Sequence, residues 1–195
     1  MKSFGFAEHY LGGTPLIMNP DIEKILYDQA QVEARIDALA ETLTERYQDQ
    51  FPVVVPVMTG AMIFASLLLQ RLDFKLNIDY VDVSSYEDNA ESSGRVRLLR
   101  DLSHDVTDRP VLIVEDIIDT GYTLKFLDQL FASRGAKSIA TCALLDKPSR
   151  REVDVDAAYI GFEVPNEFIV GYGLDYNGLY RNLPYIGVLK RSIYE

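Results

Sequence analysis

Three carboxylates and a hydroxyl-rich turn follow directly on a short apolar run in the middle of the chain. Glu115 and Asp116 come first, and Asp119 then precedes a turn that contains Thr120 and Thr123. Ionised carboxylates accept hydrogen bonds and donate none, which suits the vicinal hydroxyl groups of a ribose. Hydroxyl groups and free backbone amides at the start of a helix suit a phosphate group. The pattern therefore predicts a sugar-phosphate site.

Each residue of this stretch has a predicted task. Glu115 and Asp116 are expected to hold the sugar hydroxyls, and Asp119 lies where a general base would reach a group that attacks the sugar. The predicted phosphate contacts are Thr120, Gly121, Tyr122 and Thr123. The alternative interpretation is a solvated strand end followed by ordinary helix caps.

The apolar run itself predicts the element that positions these residues. Residues 111–114 are β-branched or Leu and follow Pro110, as in a parallel strand that is covered on both faces. A strand over 110–116 would place the two acids at its carboxyl end, where open α/β sheets bind ligands. A helix over 122–133 would follow the turn.

The rest of the chain continues an alternating α/β order. Asn19 and Pro20 predict a helix N-cap and first helical residue, and the apolar positions that follow recur at helical spacing to about Gln50. Further strands are predicted at 51–58, 76–84, 138–145, 157–160 and 168–170, and a further helix at 62–72. This order predicts one mainly parallel sheet flanked by helices.

Composition excludes several classes of function. A length of 195 residues with 48% apolar content predicts one domain, residues 1–195, with one substantial core. A net charge of −11 disfavours binding to nucleic acid or to an anionic membrane. Cys142 is the single cysteine, so an internal disulfide is impossible, and we expect a buried thiol in a cytoplasmic protein.

Several segments resemble one enzyme family in order and spacing. The Glu-Asp-Ile-Ile-Asp-Thr-Gly segment at 115–121 resembles the phosphoribosyl diphosphate motif of the type I phosphoribosyltransferases, in its 6-oxopurine (hypoxanthine-guanine) form. Residues 161–181 resemble the purine-binding part of the same enzymes, and 145–147 the segment with their base-reading lysine. Ser85 and Tyr86 resemble the start of their mobile loop.

The resemblance implies a fold and a reaction. It implies the type I phosphoribosyltransferase fold, with a small hood formed by about 1–18 and 157–195 and a mobile loop at about 85–109. It implies transfer of 5-phosphoribose from phosphoribosyl diphosphate to N9 of hypoxanthine or guanine, with Mg²⁺ as cofactor. By composition alone the loop would be a solvated hairpin. A homodimer or homotetramer is a further expectation from the family.

The resemblance also assigns site residues beyond the central motif. Thr59, Gly60 and Arg181 would contact the diphosphate. The purine would contact Lys147, Phe168, Ile169 and Asp175, and the metal would be held by Asp175, Glu115 and Asp116. A lysine ammonium donates to the exocyclic oxygen of a 6-oxopurine, whereas adenine has a donor there, so Lys147 would select against adenine. Without the resemblance, Phe168 would be assigned to the core, and Asp175 and Arg181 to surface ion pairs.

The chain departs from the family pattern at two positions. Thr59 stands where the family commonly has a lysine, and Tyr122 where it often has one. Both departures remove a positive charge near anionic oxygens, so we expect them to affect affinity for the diphosphate more than catalysis.

Two other classes of function compete with this interpretation. A phosphoacceptor receiver domain also has acids at strand ends and a Lys-Pro pair, but it does not explain residues 161–181. A non-catalytic regulator with the same fold that binds nucleotide or RNA is the second alternative, and Asp119 and the acidic balance count against it.

Overall fold

The computed structural model describes residues 9–11, 14–16, 18–85 and 96–195. The strands are β1 (His9–Leu11), β2 (Thr14–Leu16), β3 (Ile22–Tyr27), β4 (Val53–Met58), β5 (Asn77–Ile78), β6 (Val81–Ser85), β7 (Val96–Arg100), β8 (Pro110–Ile118), β9 (Ser138–Asp146), β10 (Tyr159–Glu163), β11 (Ile169–Val170) and β12 (Ile186–Leu189). The helices are α1 (Gln29–Tyr47), α2 (Met62–Leu69), α3 (Tyr122–Ser133) and α4 (Arg191–Tyr194), with a 3₁₀ turn at Pro148–Arg150.

A seven-stranded sheet forms the centre, in the order β10-β9-β8-β4-β6-β7, with β5 paired to β4. All pairs are parallel except β6 with β7. Residues 53–55 of β4 and 111–114 of β8 are fully buried, because helices and loops cover both faces of a parallel sheet. The predicted mainly parallel sheet is confirmed, and the strand at β8 runs two residues further than predicted.

Cys142 lies within β9 in this core, where burial raises the pKa of its thiol to about 12. A second, antiparallel sheet in the order β11-β12-β3 joins β3, which precedes the central sheet in the chain, to β11 and β12, which follow it. No helix in the described ranges has the length and hydrophobicity needed to cross a membrane.

The beginning of α1 differs from the prediction. Asn19 and Pro20 do not start a helix; they form a turn that leads into β3, and α1 begins after Asp28. The Asn19 side chain accepts a hydrogen bond from the amide of Asp21 at 2.9 Å, and the Asn19 carbonyl accepts one from Ile22 at 3.0 Å. Asn followed by Pro is equally favourable in a β-turn, so the local signal was ambiguous.

The true N-cap of α1 is Asp28, which forms a capping box with Gln31. Other predicted boundaries also shift. The predicted strand at 76–84 divides into β5 and β6, and the helix predicted to reach residue 72 ends at Leu69. Residues 96–100 of the predicted loop form β7, which pairs with β6 as a hairpin.

Asp79 anchors the chain where it returns from this hairpin. Its side chain is 5% exposed, and Oδ2 accepts hydrogen bonds from the amides of Ser103 at 2.6 Å and His104 at 2.8 Å. The His104 ring nitrogen Nδ1 lies 2.9 Å from the same oxygen, and the Tyr80 amide donates to Oδ1 at 2.9 Å. Burial alone would raise the pKa of Asp79, but these hydrogen bonds outweigh it and lower the pKa.

We expect Asp79→Ala to lower the free energy of unfolding by about 1–3 kcal/mol, because it leaves the Ser103 and His104 amides without their acceptor. Folding lowers the pKa of Asp79. The ionised carboxylate therefore stabilises the fold at pH values above the pKa that Asp79 has in the unfolded chain, and this stabilisation is lost as the pH falls through the lower pKa of the folded protein. Urea unfolding of the wild type and Asp79→Ala at neutral pH measures the first effect, and urea unfolding of the wild type and Asp79→Asn at neutral and acid pH measures the second. The difference in the free energy of unfolding between the wild type and Asp79→Asn should be smaller at acid pH. The control is Asp73→Asn, at an exposed position. A difference that stays the same at both pH values would contradict the prediction.

Candidate active site

A cavity of about 690 Å³ opens at the carboxyl ends of β8 and β9, where the second sheet approaches the central one. Its walls include six of the residues that the sequence singled out, namely Asp116, Asp119, Lys147, Phe168, Ile169 and Asp175. These residues are scattered over sixty positions of the sequence, and the topology brings them to one edge of the sheet.

Glu115 and Asp116 lie on β8 before its end, beside each other and largely out of water. Burial and the neighbouring charge of Asp116 raise the pKa of Glu115 well above its usual range. Burial also raises the pKa of Asp116, although hydrogen bonds from Glu115 and Ile117 and the charge of Arg181 act in the other direction. The pair is thus poised to gain from donors or a cation that a ligand brings into the cavity.

Gly60 follows β4 and lies against the Asp116 carboxylate. A Cβ atom on Gly60 would lie 2.0 Å from Asp116 Oδ2, and one on Gly173 would lie 2.0 Å from the Gly60 carbonyl oxygen. Gly60 therefore contacts the Asp116 side chain of β8 directly. On the other side its carbonyl group contacts Gly173, in the turn at 171–174, with no side chain between the two backbones. Thr59 is exposed beside this contact, after a cis peptide bond that links it to Met58.

Asp175 and Arg181 form an ion pair across the loop that follows β11. Asp175 Oδ1 lies 2.6 Å from an Arg181 guanidinium nitrogen, and Oδ2 accepts from the Gly178 amide at 2.6 Å. Arg181 also donates to the Gly173 carbonyl. This is the ion pair that the sequence allowed as an alternative, but Asp175 lines the cavity and Arg181 acts on the pKa of Asp116. The pair thus belongs to the site.

The turn at 119–121 connects β8 to α3, which begins at Tyr122 as predicted. Gly121 is the N-cap with φ of 91°, a left-handed backbone that favours glycine. The free amides of the first turn of α3 therefore point out beside Thr120 and Thr123, as an anion site requires. The Tyr122 hydroxyl hydrogen-bonds to Glu152, and this bond raises its pKa.

Asp119 lies at the edge of the cavity and is half exposed. Its Oδ1 lies 3.3 Å from Arg150 Nε, and its carbonyl accepts a hydrogen bond from Arg151 at 2.6 Å. Arg151 also forms an ion pair with Asp146. The carboxylate of Asp119 is thus accessible to a ligand on one side and held by an arginine on the other.

Lys147 and Phe168 form the other end of the cavity. Lys147 is 8% exposed, donates to the Glu167 carbonyl at 3.1 Å, and has a lowered pKa because burial disfavours its charge. The Phe168 ring is stacked on Tyr194 with centroids 4.9 Å apart and meets the edge of Tyr176 at 5.4 Å. The cavity therefore combines a buried cationic donor with a supported aromatic ring.

The two residues predicted to begin the mobile loop lie at the edge of a described range, and Ile169 lies in the second sheet. Ser85 ends β6, and nothing is described of its side chain; Tyr86 lies outside the described residues. Ile169 is 5% exposed and pairs with Val188 between β11 and β12.

Sequence reasoning missed nine residues of the cavity wall, among them Ile117, Arg150, Leu174 and Tyr194 from separate parts of the chain. Arg150 carried a usable signal, because it follows a predicted strand end within a Lys-Pro-Ser-Arg turn. Tyr194 carried none, since only the fold brings α4 to Phe168.

The donor set of the site consists of oxygen atoms. Asp116 and Asp175 both line the cavity, but in the part of the chain that the structure describes no three His, Cys, Asp or Glu side chains form a metal-binding group. A hard cation that takes one or two carboxylates and completes its shell with substrate oxygens and water fits such a site. A cation held by the protein alone does not.

The contact between Gly60 and Asp116 predicts the effect of one methyl group. We expect Gly60→Ala to lower the free energy of unfolding by about 1–3 kcal/mol, because the new Cβ must displace the Asp116 carboxylate. Thermal unfolding of Gly60→Ala measures this loss. The same substitution in an Asp116→Ala background is the control, since removal of the carboxylate relieves the clash. Equal losses in both backgrounds would show that the clash is not the cause.

Comparison with known proteins agrees with this geometry. Residues 23–177 match the phosphoribosyl transferase domain family. The chain is 49% identical over 179 residues to a hypoxanthine-guanine phosphoribosyltransferase of Bacillus subtilis, covering 92% of this chain and 99% of that protein. It is 48% identical over 185 residues to the bifunctional protein TilS/HprT of Listeria monocytogenes, covering 95% of this chain but only 28% of the Listeria protein.

A solved structure gives the same result. The crystal structure of a hypoxanthine phosphoribosyltransferase from Staphylococcus aureus superposes with a TM-score of 0.87 at 44% identity, over 90% of this chain and 95% of that chain. The fold class predicted from the sequence is confirmed. The receiver-domain alternative is wrong, because most of the chain matches a different family.

Proposed function

The chain belongs to the phosphoribosyltransferase family, in its hypoxanthine-guanine branch, and we propose that it transfers 5-phosphoribose from phosphoribosyl diphosphate to N9 of hypoxanthine or guanine. The products are inosine or guanosine monophosphate and diphosphate, a purine salvage reaction. The observation that carries the proposal is the single cavity that joins Asp116, Asp119, Lys147 and Phe168 beside the amides of α3.

The sugar and its phosphates fit the acidic end of the cavity and the turn beside it, which Asp119 joins to the cavity wall. Glu115 and Asp116 would accept hydrogen bonds from the ribose hydroxyls. The turn and first residues of α3, Thr120 to Thr123, would hold the 5-phosphate with hydroxyls and amides. Thr59 and Gly60 would offer backbone amides to the diphosphate, which Arg181 would also contact.

The cofactor that fits the donor set is Mg²⁺, which Asp175 would hold together with Glu115 or Asp116, with oxygens of the diphosphate as further ligands. When bound, Mg²⁺ neutralises charge on the diphosphate and makes it a better leaving group. A chain with a net charge of −11 needs such local positive charge in order to bind a strongly anionic substrate.

The reaction is a displacement at C1 of the ribose with inversion, through a loose oxocarbenium-like state. The bond from C1 to N9 forms, the bond from C1 to the diphosphate oxygen breaks, and the imidazole proton of the purine goes to the Asp119 carboxylate. Arg181 stabilises the departing diphosphate. A loop over about 85–109 that closes on the substrate would exclude water, which would otherwise capture the sugar.

Lys147 and Phe168 would select and hold the base. Lys147 is buried, and its ammonium group already donates to a carbonyl, so a purine oxygen would share or replace that acceptor. Phe168 offers a ring for stacking, backed by the aromatic contacts with Tyr176 and Tyr194. The backbone at Ile169 and the nearby Asp175 would border the remaining edge of the purine.

The setting of the protein is part of the proposal. We expect a cytoplasmic enzyme without affinity for nucleic acid or membrane, and a homodimer or homotetramer, which light scattering at several protein concentrations would measure.

The alternative function, a non-catalytic regulator, has the same fold but would not turn over substrate. A spectrophotometric assay with phosphoribosyl diphosphate, Mg²⁺ and each of hypoxanthine, guanine, xanthine and adenine separates the two. Metal-dependent turnover of oxopurines supports the proposal; a folded protein that turns over no base contradicts it.

The base assignment predicts a large effect of one isosteric change. Asp119→Asn should lower kcat with hypoxanthine by about 10²–10⁴-fold, because the amide cannot accept the imidazole proton. Circular dichroism should show an unchanged fold, since the carboxylate is half exposed. Asp156→Asn, an exposed acid outside the cavity, is the matched control. Near-normal turnover of Asp119→Asn would show that another group is the base.

The role of Lys147 predicts a change in specificity. Lys147→Gln should raise KM for hypoxanthine by about 10–100-fold, because a charge-assisted hydrogen bond to the base is lost. It should also lower the ratio of kcat/KM for hypoxanthine to kcat/KM for adenine. Initial rates with the two bases measure both quantities. Exposed Lys125→Gln on α3 is the control. An unchanged ratio of kcat/KM values for hypoxanthine and adenine would contradict the assignment.

A further inference from the structure

Arg150 is a cation of the cavity wall that has no task in the reaction described so far. It ends the 3₁₀ turn after Lys147, and its amide donates to the Lys147 carbonyl at 3.0 Å. Its guanidinium reaches Asp119, the predicted base, at 3.3 Å. Arg150 therefore stands between the base pocket and the turn that begins α3.

The segment around Arg150 is packed onto that turn. The Glu152 amide donates to the Thr120 carbonyl at 3.0 Å, and Arg151 donates to the Asp119 carbonyl at 2.6 Å. A Cβ on Gly121 would lie 2.7 Å from the Val155 side chain, so the two segments are in direct contact. These bonds fix the backbone of Arg150 relative to the turn, while its side chain stays 48% exposed and able to move.

The charge of the turn makes this arginine significant. Residues 120–123 offer hydroxyls and amides but no cationic side chain, and Tyr122 is hydrogen-bonded to the acid Glu152. The ion pair of Arg150 with Asp119 is long and half exposed on both sides, and pairs of this kind stabilise a protein by at most about 1 kcal/mol. A phosphate, with more charge and a geometry that accepts two parallel guanidinium bonds, is the stronger partner.

We propose that Arg150 binds the 5-phosphate of substrate and product, leaving Asp119 when the phosphate arrives. This inference rests on the proposed function, because it takes the phosphoribosyl group as ligand. The exchange has a consequence for the reaction. Binding of the sugar phosphate removes the arginine from the Asp119 carboxylate, which then faces the incoming base without this ion pair.

Inosine and inosine monophosphate share base and ribose and differ only in the 5-phosphate, so they isolate this contact. Calorimetry measures both dissociation constants for the wild type, Arg150→Gln and Arg150→Lys, without turnover. We expect Arg150→Gln to weaken binding of the monophosphate about tenfold and to leave inosine unchanged. Arg150→Lys should lie between, because it keeps the charge and loses the two-bond geometry.

Arg134→Gln is the matched control, since Arg134 also pairs with an exposed aspartate, Asp101, outside the cavity. It should leave both dissociation constants unchanged. Equal weakening of inosine and its monophosphate by Arg150→Gln, or no weakening of either, overturns the inference and leaves the proposed function intact. A folded wild type that binds neither ligand overturns the proposed function itself, and the inference with it.

Discussion

Parallel pairing of β8 with β4 and β9 is the constraint on which the site depends. Eight residue pairs join β8 to β9 and four join it to β4, so the three strands end at the same edge of the sheet. The fully buried residues 111–114 hold β8 in this position, because a shift of register would carry apolar side chains out of the core. Asp116 and Lys147 meet at the cavity, and Gly60 lies against Asp116, only because these strand ends coincide.

The same constraint creates an electrostatic conflict that the ligand resolves. The strand places two adjacent carboxylates where water is scarce, and burial raises both pKa values. The charge of Arg181 acts in the opposite direction and lowers the pKa of Asp116. The unliganded site is therefore electrostatically unfavourable in a way that sugar hydroxyls and a divalent cation would relieve, which couples ligand binding to stability of the whole fold.

Sequence reasoning predicted the elements that a local residue pattern determines. It failed where one pattern fits two structures, and where a contact joins segments that are far apart in the chain. The strand predicted over 110–116, which runs on to Ile118, and the helix that begins at Tyr122 follow from a continuous β-branched run and a glycine turn, so both were predictable. Asn19 and Pro20 fit a helix start and a β-turn equally well, and only the pairing of β3 with β12 decides between them. The contact of Tyr194 with Phe168 depends on the path of the chain through the second sheet, which no local pattern encodes.

The backbone contact between Gly60 and Gly173 has a mechanical consequence. Gly60 follows β4 of the sheet that carries the residues proposed to bind the sugar phosphate, and Gly173 lies in the loop after β11, beyond the residues proposed to bind the base. The two backbones are in direct contact, so no side chain between them can change its rotamer to accommodate a relative movement. The two halves of the cavity cannot slide past each other there, so the distance between a bound sugar and a bound base is set by the scaffold rather than by side-chain adjustment.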